Sequence, residues 1–309
     1  MGHINIIIVN YNTPEDVKEC ILNLKKEVEL IDYRLFIVDN GSTRGNYSTL
    51  KQYFGEYLES KSLILQRGEI DKISLDYKAY LIESVNSGFA GGNNLVLKVL
   101  LEKCHEEYVL LLNPDVVVEK GSIYKLKSLS NHIKTRKFVL GSRVYNYFNK
   151  SQLIHNGTFR VNTFSGMVKP NLESIPPSRL NYVYGGFLFT PLESFRKIGL
   201  IKEEYFLYWE EVEWCHRANS MGYELMVSES IRVFDKVGGS AGRGFLANYY
   251  FTRNGLYFVK LLSKNYLFNW PILFHLVRAC KQLVLLNTSV ASGILIGMKD
   301  YMLRKKGKR

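Results

Sequence analysis

The run INIIIVNYN at 4–12 constrains the fold most. Ile6, Ile7, Ile8 and Val9 follow one another without a polar break. A strand of that kind hides both faces, which predicts a parallel strand covered by helices on either side. It stops at Asn10, Tyr11 and Asn12, and Thr13-Pro14 then marks a helix start, with Thr13 as the cap and Pro14 in the first turn. Val17, Ile21, Leu24 and Val28 keep a helical spacing over 15–29. RLFIVDNGS at 34–42 is the next strand, ending at Asp39. This βαβ unit delivers Asn10–Asn12 and Asp39 to one sheet edge, where open α/β sheets bind ligands.

Further along, LILQ at 63–66 and YLIESV at 80–85 both predict strands, one in the sheet and the other in an inserted hairpin. NSGFAGGNN at 86–94 predicts a glycine-rich loop leading into a helix with Leu97, Leu100 and Leu101. Its spacing is not that of a dinucleotide-binding turn. Short strands and turns at 138–183 predict a variable region over the sheet. VYGGFLFTP at 183–191 is a strand with a glycine pair.

Two acidic landmarks carry the chemistry. LLLNPD at 110–115 is an apolar strand running into Asp115, a position suited to a divalent cation. YFLYWEEVEWCHR at 205–217 brings Glu210, Glu211 and Glu213 at a helix start, where one can serve as general base and the others are favoured by the helix dipole. Tyr208 and Trp209 beside them can stack on a sugar or pack in the core.

The net charge of +12 favours an anionic partner: nucleic acid, acidic lipid or a phosphorylated small molecule. With 46% hydrophobic and 23% charged residues the chain is globular, which excludes wholesale disorder. The four cysteines, Cys20, Cys104, Cys215 and Cys280, form no CxxC pair. They predict buried or partly buried free thiols in a reducing compartment rather than a disulfide framework or zinc site. No secretory pattern opens the sequence, and no apolar run is long enough to span a bilayer, so a cytoplasmic protein is expected.

In order, the chain offers VNYN, VDNGS, NSGFAGGNN, LLLNPD, a GG strand, FLYWEEVEWCHR and FDKVGGS. This series, over residues 4–245, resembles family 2 glycosyltransferases of the inverting, GT-A type, and most of all their bacterial rhamnosyltransferase-like branch. The resemblance implies an α/β fold: a nucleotide-binding, mostly parallel sheet flanked by helices, with a C-terminal helical extension. It implies a catalytic domain at 1–245 and an extension at 246–309. It implies a nucleotide-sugar donor, a lipid-linked saccharide acceptor of a cell-surface glycan, Mn2+ or Mg2+, and no nucleic acid. Rhamnose from a dTDP donor, or a UDP-hexose, would be the sugar.

Carried over by motif, Asn10, Tyr11, Asn12 and Asp39 would line the nucleotide pocket, with Asp39 accepting from the pyrimidine N–H as well as capping its turn. Asn86, Gly88, Gly91 and Asn94 would shape the loop beside the donor. Asn113 and Asp115 occupy the DxD-like position, with Asp115 on the metal. Glu211 falls on the base, and Glu210, Tyr208 and Trp209 on acceptor or sugar contacts. The sequence departs from the family in having Glu rather than Asp at 211, and Asp235 where relatives often place a metal-binding His. The stretch from Ser42 to Asn86 is long, which suggests an insertion around 67–82. Gly238, Gly239, Ser240 and Arg243 would form a loop closing over the diphosphate.

In the C-terminal extension, LFNWPILFHLVRACKQLVLL at 267–286 is apolar but interrupted by His275, Arg278 and Lys281. It predicts either a helix lying on an acidic membrane surface or a helical pair packed on the catalytic domain. The tail RKKGKR at 304–309 adds attraction to acidic lipid, and a peripheral position on the inner face of the cell membrane follows. Two rival readings are a nucleotidyltransferase, which needs a basic glycine-rich loop after the first strand that VNYNTPEDV lacks, and a non-catalytic glycan- or nucleic-acid-binding module.

Overall fold

The computed structural model describes residues 3–26, 33–58, 61–133, 136–171, 181–236, 244–262 and 270–309. In chain order the elements are β1 (Ile4–Asn10), α1 (Pro14–Lys25), β2 (Tyr33–Asn40), α2 (Arg44–Tyr57), β3 (Ser62–Gln66), β4 (Ala79–Ser84), α3 (Gly88–Lys103), β5 (Tyr108–Leu112), β6 (Val116–Val118) and α4 (Ser122–His132). There follow β7 (Phe138–Asn146), β8 (Leu153–His155), β9 (Thr158–Asn162), β10 (Met167–Pro170), β11 (Asn181–Val183), β12 (Phe187–Pro191), α5 (Leu192–Ile198), α6 (Glu210–Ser220), β13 (Glu224–Asp235), α7 (Phe245–Leu262), α8 (Trp270–Val284) and α9 (Thr288–Met302).

One large sheet runs in the order β3-β4-β2-β1-β5-β12-β7-β13-β6, with β8 beside β7. From β3 to β5 every pairing is parallel. Strand β12 then enters antiparallel between β5 and β7. The alternation of side chains explains the two covered faces. Ile6, Ile8, Leu35, Ile37, Leu110 and Leu112 pack with apolar residues of α1, α2 and α4. Ile7, Phe36, Val38, Val109 and Leu111 point the other way, onto α3, α5 and α6.

Several expectations change here. Thr13 does precede α1, but its hydroxyl and its N–H both donate to Asn10 Oδ1 (3.1 and 3.2 Å), so its side chain makes no cap. The helix ends at Lys25, and the remainder of the predicted span, from 27, lies outside the described residues. The strands LILQ and YLIESV are both members of the large sheet and pair in parallel, so there is no hairpin. The connection between them holds the short 3-10 turn Arg67–Lys72, and β4 already starts at Ala79, so extra length is confined to the segment before it. Within the supposed variable region, β7 is a central strand, buried from Phe138 to Ser142. Only β9, β10 and β11 form a separate three-stranded sheet.

The last three helices pack together through Leu256, Ala279, Ile294 and Met298. Helix α7 also sends Phe258 into the core between the large sheet and α3, α5 and α6. Cys20, Cys104 and Cys215 are buried free thiols as expected, whereas Cys280 is exposed on α8. The basic tail is not a free solvated end. Lys306 pairs with Glu204 (2.9 Å), the Gly307 carbonyl accepts from Arg253, and Arg309 lies over the Phe245 and Tyr249 rings.

Candidate active site

Register places Asn10 opposite Asp39 at the carboxyl ends of β1 and β2. Asn10 Nδ2 donates to Asp39 Oδ1 (2.8 Å) and Ser42 Oγ (3.2 Å), while Asp39 Oδ2 accepts the Ser42 N–H (3.1 Å). Asn12, in the left-handed region at φ 60, donates its N–H to Ser42 Oγ and accepts from Thr43 N and Asn46 Nδ2. The two loops are thus tied into one rim, on which Tyr11 stands exposed. Asp39 caps its turn, and a carboxylate has lone pairs left for a further donor.

The predicted glycine-rich loop is instead the first two turns of α3. Asn40 bridges to it: its Oδ1 accepts from Ser87 N and its Nδ2 donates to the Gly88 carbonyl (3.0 Å). Gly88 has φ +78, and a Cβ there would stand 2.1 Å from the Phe206 carbonyl oxygen, so only glycine fits. Phe89 N–H donates to that same oxygen (3.1 Å). Asn86 stays at the rim and accepts from Gly88 N. Gly91 and Asn94 do not belong there. Gly91 is buried in the helix, and Asn94 is consumed by the Ile201 backbone and Glu203.

Asp115 sits in the turn between β5 and β6, not at the strand tip, after Asn113 has donated its N–H to the Gly186 carbonyl (3.0 Å). It is buried, and its Oδ1 has no hydrogen-bond partner among the described residues. Strands β6 and β13 are antiparallel with Val116 opposite Asp235, which brings Asp235 alongside. Burial, and then the Asp235 charge, push the Asp115 carboxyl up to about 6. Lys236, next in sequence, is held by Asp16 and Glu19 of α1. Gly238, Gly239, Ser240 and Arg243 lie outside the described residues.

The acids of α6 follow a strained approach. Phe206, Tyr208 and Trp209 all have positive φ (66, 63 and 77), at about 1–3 kcal/mol each for residues with a Cβ. The surrounding structure holds them. Asn254 Nδ2 donates to the carbonyls of Tyr205 (2.7 Å), Leu207 (2.8 Å) and Tyr208 (3.0 Å). Arg253 reaches the Tyr205 carbonyl (3.1 Å), and Trp209 Nε1 donates to Phe251 O (3.0 Å). Both Arg253 and Asn254 are buried. Trp209 is buried against Phe251 and Phe258, so its ring is core and offers no sugar platform.

The three glutamates separate by environment. Glu213 is buried between Lys202 (2.8 Å) and Arg217 (3.0 Å) and is a structural ion pair. Glu210 is buried, its Oε1 has no hydrogen-bond partner among the described residues, and burial, then the Glu211 charge, raise its pKa well above the ordinary value. Glu211 is half-buried, passing close to Gly185, where a Cβ would come within 3.2 Å of its Cγ. Apolar groups back it, among them Phe89, Leu188, Phe195, Ile201 and Trp214, and burial lifts its carboxyl to about 7.

Tyr184, which sequence reasoning passed over inside VYGG, links the two acid groups. Its hydroxyl donates to Asp235 Oδ2 (2.5 Å). Burial, then the charges of Asp235 and Asp115, its hydrogen bond, and finally the charge of Glu211, raise its pKa well above that of a free phenol. Gly185, the next residue, packs against Glu211, so the Tyr184–Gly185 segment touches both Asp235 and Glu211. Asn40, Arg253 and Asn254 were also missed.

A parallel half-sheet followed by an antiparallel strand, with helices on both faces, defines a GT-A-type fold. Superposition agrees: the mannosyltransferase PcManGT of Pyrobaculum calidifontis, solved with GDP-Man and Mn2+, matches over 97% of this chain and 75% of its own, with a TM-score of 0.55 and 13% identity. GalNAc-T7, solved with UDP, GalNAc and Mn2+, matches over 98% of this chain and 56% of its own, with a TM-score of 0.60 and 12% identity. At such identities the likeness is one of fold. The chain belongs to the glycosyl transferase family 2, whose model matches residues 5–198, ending before α6. It is similar to the low-salt glycan biosynthesis hexosyltransferase Agl10 of Haloferax volcanii, 27% identical over 71% of this chain and 62% of that protein. It is also similar to the rhamnosyltransferase WbbL of Escherichia coli, 22% identical over 71% of this chain and 78% of the relative. The match thus spans less than two thirds of the archaeal relative's length.

Proposed function

We propose that the protein is an inverting, metal-dependent glycosyltransferase. It would move a sugar, rhamnose from dTDP-rhamnose or a hexose from a UDP donor, onto a lipid-linked saccharide of a cell-surface glycan. The observation that carries this is the Tyr184–Gly185 segment, whose tyrosine bonds Asp235 and whose glycine packs against Glu211. The two relatives' names, hexosyltransferase and rhamnosyltransferase, support the donor class.

The site suits a cation. The buried Asp115 and the half-buried Asp235 repel each other, and Asp115 Oδ1 has no hydrogen-bond partner among the described residues. Among those residues no three His, Cys, Asp or Glu side chains gather to enclose an ion. Asp115 and Asp235 would hold Mn2+ or Mg2+ with only part of its oxygen shell, leaving places for water and diphosphate oxygens. Bound there, such an ion would supply charge neutralisation for the departing diphosphate. Asp39, on its rim of Asn10, Tyr11 and Asn12, accepts a base N–H, and Asn86, Gly88 and Asn113 line the donor side.

Glu211 takes the proton from the acceptor hydroxyl as that oxygen attacks the anomeric carbon, and the sugar–phosphate bond breaks on the opposite face. Its raised carboxyl matches a base working near neutrality. Glu210 and Tyr208 flank it on the acceptor side. Among the described residues no helix is long and apolar enough to cross a membrane. A peripheral position on the cytoplasmic face of the cell membrane accords with the basic C-terminal helices.

A panel of nucleotide sugars, with and without Mn2+ or Mg2+, tests this by thermal shift and donor turnover. One donor should raise the melting temperature only when metal is present, and be consumed. A protein indifferent to every donor and metal would overturn the reading.

A further inference from the structure

We propose that the outer face of α8, continued by the stacked pair Phe164 and Trp270, is a docking surface for an anionic lipid bilayer. The inference deepens the function just proposed and rests on it only for the identity of the acceptor. Helix α8 turns its polarity inside out. Its buried strip is Pro271, His275 and Ala279. Neither His275 ring nitrogen has a hydrogen-bond partner among the described residues. The solvent side carries Leu273, Leu276, Val277 (62% exposed), Leu283 and Val284 (82% exposed), and Leu285 and Leu286 extend it. A surface helix of a protein that meets only water places polar side chains there.

The patch reaches onto the β9–β10 hairpin. Phe164, at the hairpin turn, stacks on Trp270 with ring centroids 5.3 Å apart, and both rings are exposed. Aromatic side chains of this kind settle at the level of lipid headgroups.

Charge selects the occupant. Residues 245–309 contain eleven lysines and arginines and a single acid, Asp300. Asp300 is buried, accepting from Tyr249 and pairing with Lys305. Lys281 stands exposed on α8 itself and Lys299 on α9. A second copy would bring the same cations against these, whereas phosphatidylglycerol-type headgroups supply the complement. Position fits the acceptor as well. Strand β9 pairs with β11, and β11 runs directly into Tyr184, so the hairpin that meets the bilayer shares a sheet with the site.

The test uses the whole chain and vesicles of phosphatidylcholine alone or mixed with phosphatidylglycerol. The wild type should sediment with the mixed vesicles and not with the neutral ones. The double variant Val277→Glu/Val284→Glu, altered only at exposed positions, should lose binding at least about tenfold. Its melting temperature and its turnover of donor with a water-soluble acceptor should match the wild type. Undiminished binding by the variant would overturn the proposal. So would a wild type that ignores both vesicles and forms a dimer which the substitutions break. Vesicle binding in a protein that turns over no donor would leave the docking face standing and the glycosyltransferase reading refuted.

Discussion

Asp115 is buried and Glu211 half-buried, and both carry a cost of folding that the proposed metal and base roles would explain. The Glu211 carboxyl titrates at about 7 in the folded protein against an ordinary 4.5. Its contribution to stability is therefore whole below about 4.5 and lost as pH rises through about 7. Turnover should move the opposite way, rising through the same interval as the base loses its proton. Glu211→Gln should lower kcat by about 10²–10⁴-fold and abolish that rise. The same variant, and Asp115→Asn, should melt no lower than the wild type above pH 7 in the absence of metal, because each removes a buried charge. A kcat that stays within threefold of wild type (roughly 0.7 kcal/mol) would remove Glu211 from the base role. The sequence made these acids visible because each follows a recognisable run, LLLNPD or FLYWEEVEW. The motif put Glu211 on the base ahead of Glu210, but the environments that separate Glu210, Glu211 and Glu213 depend on Lys202, Arg217 and Gly185, which only folding brings near.

Among the elements, those buried on both faces were the legible ones. Strands β1, β2 and β5 are continuous apolar runs because helices cover either side. Strand β3 lies at the sheet edge and is mostly half-exposed, so its pattern was too weak to fix its pairing. Helix α3 begins in glycines, which lower helix propensity. There the glycines serve a close approach instead: a Cβ at Gly92 would stand 2.7 Å from Val9 Cγ1. Helix α7 concealed its role most fully. Arg253 and Asn254 sit in an aromatic helix, and their partner carbonyls, at Tyr205, Leu207 and Tyr208, lie more than forty residues upstream. Asn254→Ala removes three hydrogen bonds from strained backbone and should cost about 2–4 kcal/mol, read by denaturant melts. Freed of that hold, the start of α6 should shift, and the pH midpoint of kcat should move with it. A lower melting point with an unchanged pH profile would reduce Asn254 to a packing residue.

At the scale of the whole molecule, the C-terminal helices are not an appendage of the sheet. Composition changes near 245, as a domain boundary would, yet α7 reaches into the core beneath the large sheet and the tail returns to Glu204. Among the contacts that join the two halves of the site is the Phe206 carbonyl, pressed against Gly88 and bonded to Phe89. This contact has an evolutionary corollary. In a saturation library scored for growth or turnover, position 88 should tolerate glycine alone. Gly45, Gly55 and Gly68, which have open space around them, should accept alanine, with gains of about 0.4–1 kcal/mol at the first two, inside α2. Sequence drift should therefore pass freely through the open positions of α2, while the seam between α3 and the approach to α6 should admit no substitution at all.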